Sequence, residues 1–305
     1  MNSYMMGEEE IVAALVHGPN AIMLDGIGLC GDTACGTRRV TKDDLSLGQF
    51  APIEMGLQAM AALALQGKDH RVVAVLNGWL KVDWGMPQLH VGDMLRFEFP
   101  KPAHEFVNGR DIALLGAVAR RPRGFTFTAG TTLVLGPDFN SSVEKCRTRA
   151  LCEQAVECLD QVQRSCVATL WEGTSSRAVV GADVRDHFCR RYGLAEIVPG
   201  FCLVTWAWQA ACNCLTNKGL QPIPWGEMKF KFGVPAVVGQ TVVTHVRVMR
   251  DDWNASTGIG VCKVKMEANG HTLMCGSFGF QNPSVRQLRR SVHDVRGARQ
   301  LVGVR

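Results

Sequence analysis

The stretch Leu80-Lys81-Val82-Asp83-Trp84-Gly85-Met86-Pro87, followed by Val91-Gly92-Asp93, returns later in the chain. There it reads Met228-Lys229-Phe230-Lys231-Phe232-Gly233-Val234-Pro235, followed by Val238-Gly239-Gln240. Lys81 and Lys229, Gly85 and Gly233, and Pro87 and Pro235 share an offset of 148; Gly92 and Gly239 are 147 apart. Similarity at a fixed spacing of this length means one supersecondary unit built twice. After each Gly92-type turn comes an alternating strand pattern, Met94 to Phe99 in one copy and Thr241 to Met249 in the other. Upstream, Pro52-Ile53-Glu54-Met55-Gly56-Leu57-Gln58-Ala59-Met60-Ala61 matches Leu203-Val204-Thr205-Trp206-Ala207-Trp208-Gln209-Ala210-Ala211 in pattern, with Gln58 and Gln209 offset by 151. Both segments are apolar on nearly every face, which predicts helices buried on all sides.

Each unit therefore reads as a central buried helix followed by strands. The first unit carries strand patterns at 71–75, 77–84, 93–99, 112–120 and 125–134, the second at 228–232, 241–250, 259–267 and 271–280. Asn108-Gly109, Asn269-Gly270, Pro122 and Gly124 punctuate them as turns. An antiparallel meander wrapped around one apolar helix is an α+β arrangement. The expected organisation is a first unit over 1–140, an amphipathic linker helix over 141–163, a second unit over 164–283 and a basic tail over 284–305.

Composition bounds what such a chain does. At 305 residues, 47% apolar and 20% charged, it has material for two cores. No apolar run reaches the ~18 residues of a membrane-spanning helix. The N-terminus carries Glu8, Glu9 and Glu10 and lacks a basic start followed by an apolar stretch, so neither a secretory nor an Arg-rich transit signal is expected. Twelve cysteines in that context read as reduced thiols in a cytoplasmic protein, with a mitochondrial location left open. Cys30/Cys35, Cys146/Cys152/Cys158 and Cys212/Cys214 lack paired zinc spacing, so no metal is expected, and buried small hydrophobes are the plain reading. The whole net charge of +5 sits in the tail, where Arg286, Arg289, Arg290, Arg296, Arg299 and Arg305 face Asp294 alone. Valines and leucines interleave with these arginines. A solvated amphipathic tail is favoured there over a nucleic-acid contact.

On these residues the chain resembles a family. A helix wrapped by an antiparallel sheet is the hotdog fold, and two such units in one chain would make a fused pseudo-dimer. Pro52-Ile53-Glu54-x-x-x-Gln58-Ala59-x-Ala61 looks like the central-helix motif of 3-hydroxyacyl-[acyl-carrier-protein] dehydratases. Val16-His17-Gly18-Pro19-Asn20-Ala21-Ile22-Met23-Leu24-Asp25-Gly26-Ile27 is similar to their opening segment, most nearly that of the aryl-polyene-type dehydratases. Asp186-His187-Phe188 and Val198-Pro199-Gly200-Phe201-Cys202-Leu203 resemble the segment that precedes the dehydratase helix. The resemblance spans roughly residues 11–283. It departs from the family at Thr205, which stands where a catalytic Glu is placed, and in four extra residues between His187 and Pro199.

The resemblance implies dehydration of a 3-hydroxyacyl thioester held by acyl carrier protein or coenzyme A, with no cofactor and with a homo-oligomer of pseudo-dimers open. Such a reaction needs a base at C2, an acid at the C3 hydroxyl and a donor to the thioester carbonyl. A histidine suits the base, and a carboxyl in an apolar helix suits the acid. The family rule pairs His187 of the second unit with Glu54 of the first, and His17 is the rival base. Gln58, Thr205, Gln209, Pro199 and Gly200 fall along the implied substrate path. A backbone N–H at the start of the Glu54 helix is the expected carbonyl donor.

Plainer readings stand beside these. Glu54 after Pro52 can be a carboxylate that complements the helix dipole. His17 and His187 can be ordinary loop residues, and Gln58 and Gln209 hydrogen-bonded interface residues. His70, His90, His104, His245 and His271 receive no role. A thioesterase using Glu54 to activate water is the alternative enzyme. An acyl-binding or carrier-binding protein without turnover is the alternative outside enzymes.

Overall fold

Residues Ala51–Leu65 (α3) contain almost nothing polar beyond Glu54 and Gln58, so this helix has no face to offer water and must be enclosed. The computed structural model shows how. It describes residues 4–15, 22–30, 33–46, 48–65, 72–85, 89–100, 103–107, 110–119, 125–135, 169–178, 198–236 and 241–283. The expected linker helix 141–163 and basic tail 284–305 lie outside these residues.

The first unit runs through β1 (Tyr4–Met6), α1 (Glu8–Ala14), β2 (Gly26–Cys30), β3 (Thr33–Arg39) and α2 (Lys42–Ser46) to α3. After α3 come β4 (Val72–Trp84), β5 (Met94–Pro100), β6 (Ala103–Val107), β7 (Arg110–Ala119) and β8 (Phe125–Leu135). The second unit has β9 (Thr169–Ala178), the helix α4 (Gly200–Thr216), β10 (Ile223–Phe232) and β11 (Thr241–Met249). It ends with β12 (Trp253–Asn254), β13 (Ile259–Ala268) and β14 (His271–Gln281). The described strands join one 14-stranded antiparallel sheet whose main path is β1-β2-β3-β5-β7-β8-β4-β10-β14-β13-β11-β9, with β6 off it on β7 and β12 off it on β13. Around the β4–β10 seam the order mirrors itself. On either side lie, moving outward, the first strand after the helix, then the last, the fourth, the second and the strand before the helix; β2 and β1 extend the first unit's side further.

The seam shows why the repeat is a pseudo-dimer. Lys81 pairs with Lys229, Leu80 with Phe230 and Val82 with Met228. Exchanging each residue for its repeat-equivalent turns the Leu80–Phe230 pair into the Met228–Val82 pair and leaves Lys81–Lys229 unchanged, which is the signature of an isologous contact about a twofold axis. The axis passes between Lys81 and Lys229. A further pair of equivalents appears in the register. Against β8, β4 jumps from Leu76 to Leu80 while its partner advances from Thr131 to Ala129. Against β14, β10 jumps from Pro224 to Met228 in the same way, from Phe280 to Phe278. Gly78 (φ 88°) and Gly226 (φ 74°), again 148 residues apart, sit inside these bulges in a conformation side chains avoid. The two strands expected over 71–84 are therefore one strand with a bulge.

Helix α3 packs on β3, β4 and β7, and α4 packs on β9, β11 and β13. Within α3, Gly56 leaves room for the Phe127 ring, whose Cε1 would lie 2.5 Å from an added Cβ. Helix α4 departs from the expectation of burial on all sides. Gln209, Asn213 and Thr216 are exposed along one stripe, while Phe201, Val204, Ala207 and Ala211 on the other faces are buried. Between the units lies an aromatic cluster centred on Phe50. Its ring centroid is 5.1 Å from Trp84, 5.8 Å from Phe278 and 6.1 Å from Trp208. Each close pair of this kind adds about 0.5–1.5 kcal/mol beyond its buried area.

Candidate active site

Glu54 stands in the first turn of α3 and is 5% exposed. Gln58, one helical turn on, donates from Nε2 to Glu54 Oε1 at 3.2 Å. The backbone N–H of Met23 donates to Gln58 Oε1 at 2.8 Å. A buried carboxyl fixed by a buried amide, at the end of the helix that meets the second unit, is a defined place for proton transfer.

The entry to α3 crosses the unit boundary. Gly48 (φ +102°) precedes the helix, and a Cβ there would lie 2.8 Å from Cγ2 of Thr205 on α4. Gly48 O accepts from Ala51 N at 3.1 Å and Phe50 O from Ile53 N at 2.9 Å, and Pro52 has no N–H. The first three amides of α3 thus offer no donor for a thioester carbonyl. A carbonyl donor from this helix start would have to come from Glu54 or beyond. The reason is local: the tight turn that brings Gly48 against Thr205 uses the amides itself.

Thr205 is 7% exposed and its Oγ1 is buried without a hydrogen-bond partner among the described residues. Gln209 is exposed, whereas Gln58 is 1% exposed. Glu54 and Thr205, aligned by the same 151-residue offset, are both buried, so the two helices agree at that position and differ one turn on, where Gln209 reaches the surface. Pro199 caps α4 with its carbonyl, which accepts from Cys202 N at 3.0 Å, and Gly200 opens the helix. His17 and His187 lie outside the described residues.

A charged network next to the site had no place in the sequence reading. Arg38 grips Asp44 through Nε (3.0 Å) and Nη2 (2.9 Å) and reaches Asp25 through Nη1 (3.1 Å). Burial alone would lower the Arg38 pKa, yet the hydrogen bond and charge of Asp44, then Asp25, raise it above its usual value. Thr41 and Asp44 exchange backbone and side-chain hydrogen bonds of 2.8 and 3.2 Å at the start of α2. The Thr41-x-x-Asp44 spacing was the signal that could have revealed this corner.

Among the described residues no three metal-ligating side chains cluster, and no helix is long and apolar enough to cross a membrane. Cys202, Cys214 and Cys262 are buried. Burial pushes the Cys212 and Cys262 thiols up to about 12, so neither is a nucleophile at neutral pH.

No protein-family model matches the chain, and no curated protein matches it. Solved structures do. A protein from Lactobacillus plantarum assigned as an oleoyl thioesterase is similar over 82% of this chain and 96% of its own, at 13% identity and a TM-score of 0.52. A 12:0-ACP thioesterase from Umbellularia californica is similar over 83% of this chain and 95% of its own, at 8% identity and a TM-score of 0.53. A MaoC-like dehydratase is similar over 92% of this chain and 96% of its own, at 11% identity and a TM-score of 0.50. At these identities the likeness is one of fold. The chain has the hotdog fold, built twice and joined through β4 and β10 into a single sheet.

Proposed function

We propose that this protein acts on acyl thioesters and that its centre is Glu54. The observation that carries the reading is the buried Glu54 carboxyl, fixed by Gln58 and set beside the seam between the two units. Support comes also from the named activities of the similar structures, two thioesterases and a dehydratase.

The reaction we favour is dehydration of a 3-hydroxyacyl thioester, carried by acyl carrier protein or coenzyme A, to the trans-2-enoyl thioester. A base, His187 or His17, takes the C2 proton. Glu54 gives a proton to the C3 hydroxyl, which leaves as water, and the electron pair released at C2 closes the double bond. Thr205 carries no carboxyl, so one chain holds one such acid. A thioesterase is the second reading, supported by the named activities of two of the three similar structures. There Glu54 would activate water against the thioester carbonyl, releasing acid and thiol.

Incubation with 3-hydroxyacyl thioesters of several lengths, on both carriers, separates these readings. Enoyl formation supports the dehydratase, and free thiol supports the thioesterase. Glu54→Gln should lower the rate about 10²–10⁴-fold with the fold intact. His187→Ala should match it if the cross-unit pair operates, and His17→Ala if that histidine is the base. A wild-type protein that holds acyl chains but turns over none of them is a binding protein instead.

A further inference from the structure

Gln58 carries one acceptor end and one donor end, and its surroundings assign both. The Met23 N–H at 2.8 Å makes Oε1 the acceptor end, so the NH₂ end is turned onto Glu54 Oε1 at 3.2 Å. Met23 is in turn held by its neighbour two residues on. Asp25 N donates to Thr37 O at 2.9 Å, Asp25 Oδ2 accepts from Arg39 N at 2.6 Å, and Asp25 Oδ1 accepts from Arg38 at 3.1 Å. Arg38 is locked by Asp44, which is 3% exposed. Met23-Leu24-Asp25 thus ties the ion network at the β3–α2 corner to the carboxyl on α3.

We propose that Gln58 is a positioning residue that aims the Glu54 carboxyl, and that Asp25, through the Met23 N–H, sets the orientation of the Gln58 amide. This rests on Glu54 as the reacting carboxyl. The relay holds both ends of the amide, so Gln58 cannot flip without leaving the Met23 N–H facing the NH₂ group. A misaimed acid slows the chemical step while leaving thioester binding as it was.

The test is a double-mutant cycle with kcat, KM and the thermal midpoint measured for each protein. Gln58→Met should lower kcat about 10–100-fold with KM little changed. Asp25→Asn should lower kcat less, again with KM little changed. The double variant should be no slower than Gln58→Met, because without the amide the Met23 N–H has nothing to orient. If Gln58→Met does not fold, Asp25→Asn alone decides, since its site is half-exposed and its loss must appear in kcat. Losses that multiply, or variants that move only the thermal midpoint, overturn the positioning role; the proposed function then stands so long as Glu54→Gln is inactive. A wild type as inactive as Glu54→Gln overturns both.

Discussion

Glu54 and Thr205 show how much one side chain's surroundings decide. Both are polar, both sit in a central helix and both are buried, yet Glu54 is hydrogen-bonded and the Thr205 hydroxyl has no partner among the described residues. A buried unsatisfied hydroxyl costs roughly 1–3 kcal/mol. Thr205→Val keeps the branched shape packed on Gly48 and removes that cost. The variant should be more stable by about 1 kcal/mol, read as a higher denaturation midpoint with an unchanged slope. A lower midpoint would show that the hydroxyl is satisfied in solution. The linear pattern led to the expectation that both helices are buried and placed Thr205 on the implied substrate path, but it held no sign of which polar group would find a partner.

At the scale of elements, the end of β10 at Gly233 has a steric reason. Gly233 donates to Leu273 O at 2.8 Å, and Val234 donates to Thr272 O at 3.2 Å, which ties the end of β10 to β14. A Cβ on Gly233 would lie 2.1 Å from Thr272 O, a backbone atom that cannot step aside. Gly233→Ala should therefore cost about 2–3 kcal/mol, measurable by chemical denaturation; a cost below a few tenths would mean the strands separate there at no penalty. The same reasoning explains why strands were legible and helix facing was not. Alternation is read within a single strand and needs no alignment, and in β11 and β13 the more and less buried residues alternate as the pattern predicts. Asn269-Gly270 likewise forms the predicted hairpin turn, with φ of 50° and 76°. A helix that is apolar on nearly every face does not show which positions its sheet will cover, and Gln209 stands on the exposed side of α4. β2, β3 and β9 went unread because they precede the helices and lie outside the repeated stretch that anchored the alignment.

For the whole molecule, the joint between the units has an exposed ionic face above its buried aromatic one. Glu227 accepts from Lys81 at 2.9 Å and from Lys229, the two lysines that flank the twofold axis. Its hydrogen bond to Lys229, then that to Lys81, lowers its pKa below the ordinary 4.5. A carboxylate lowered by folding stabilises the folded state fully above its ordinary range, and that contribution is lost as the pH falls through the lowered value. Thermal midpoints measured on the acid side should therefore fall less for Glu227→Gln than for wild type. Added salt should shrink the difference, because the pair is exposed. Parallel acid limbs for the two proteins would remove the ion triad from the joint.

The duplication, the two apolar helices, the strand periods and the identity of Glu54 as the odd carboxyl in an apolar helix all followed from the sequence alone. Each rests on local spacing, and spacing is a property of the chain. The mirrored strand order and the pairing of Lys81 with Lys229 required the fold. So did the contact of Gly48 with Thr205 and the link from Asp25 through Met23 and Gln58 to Glu54. These contacts join segments far apart along the chain, and in them backbone amides act as partners as much as side chains do. An amide is present at nearly every residue, so no residue type marks which one will be used; only packing decides that the N–H of Met23 meets the amide of Gln58.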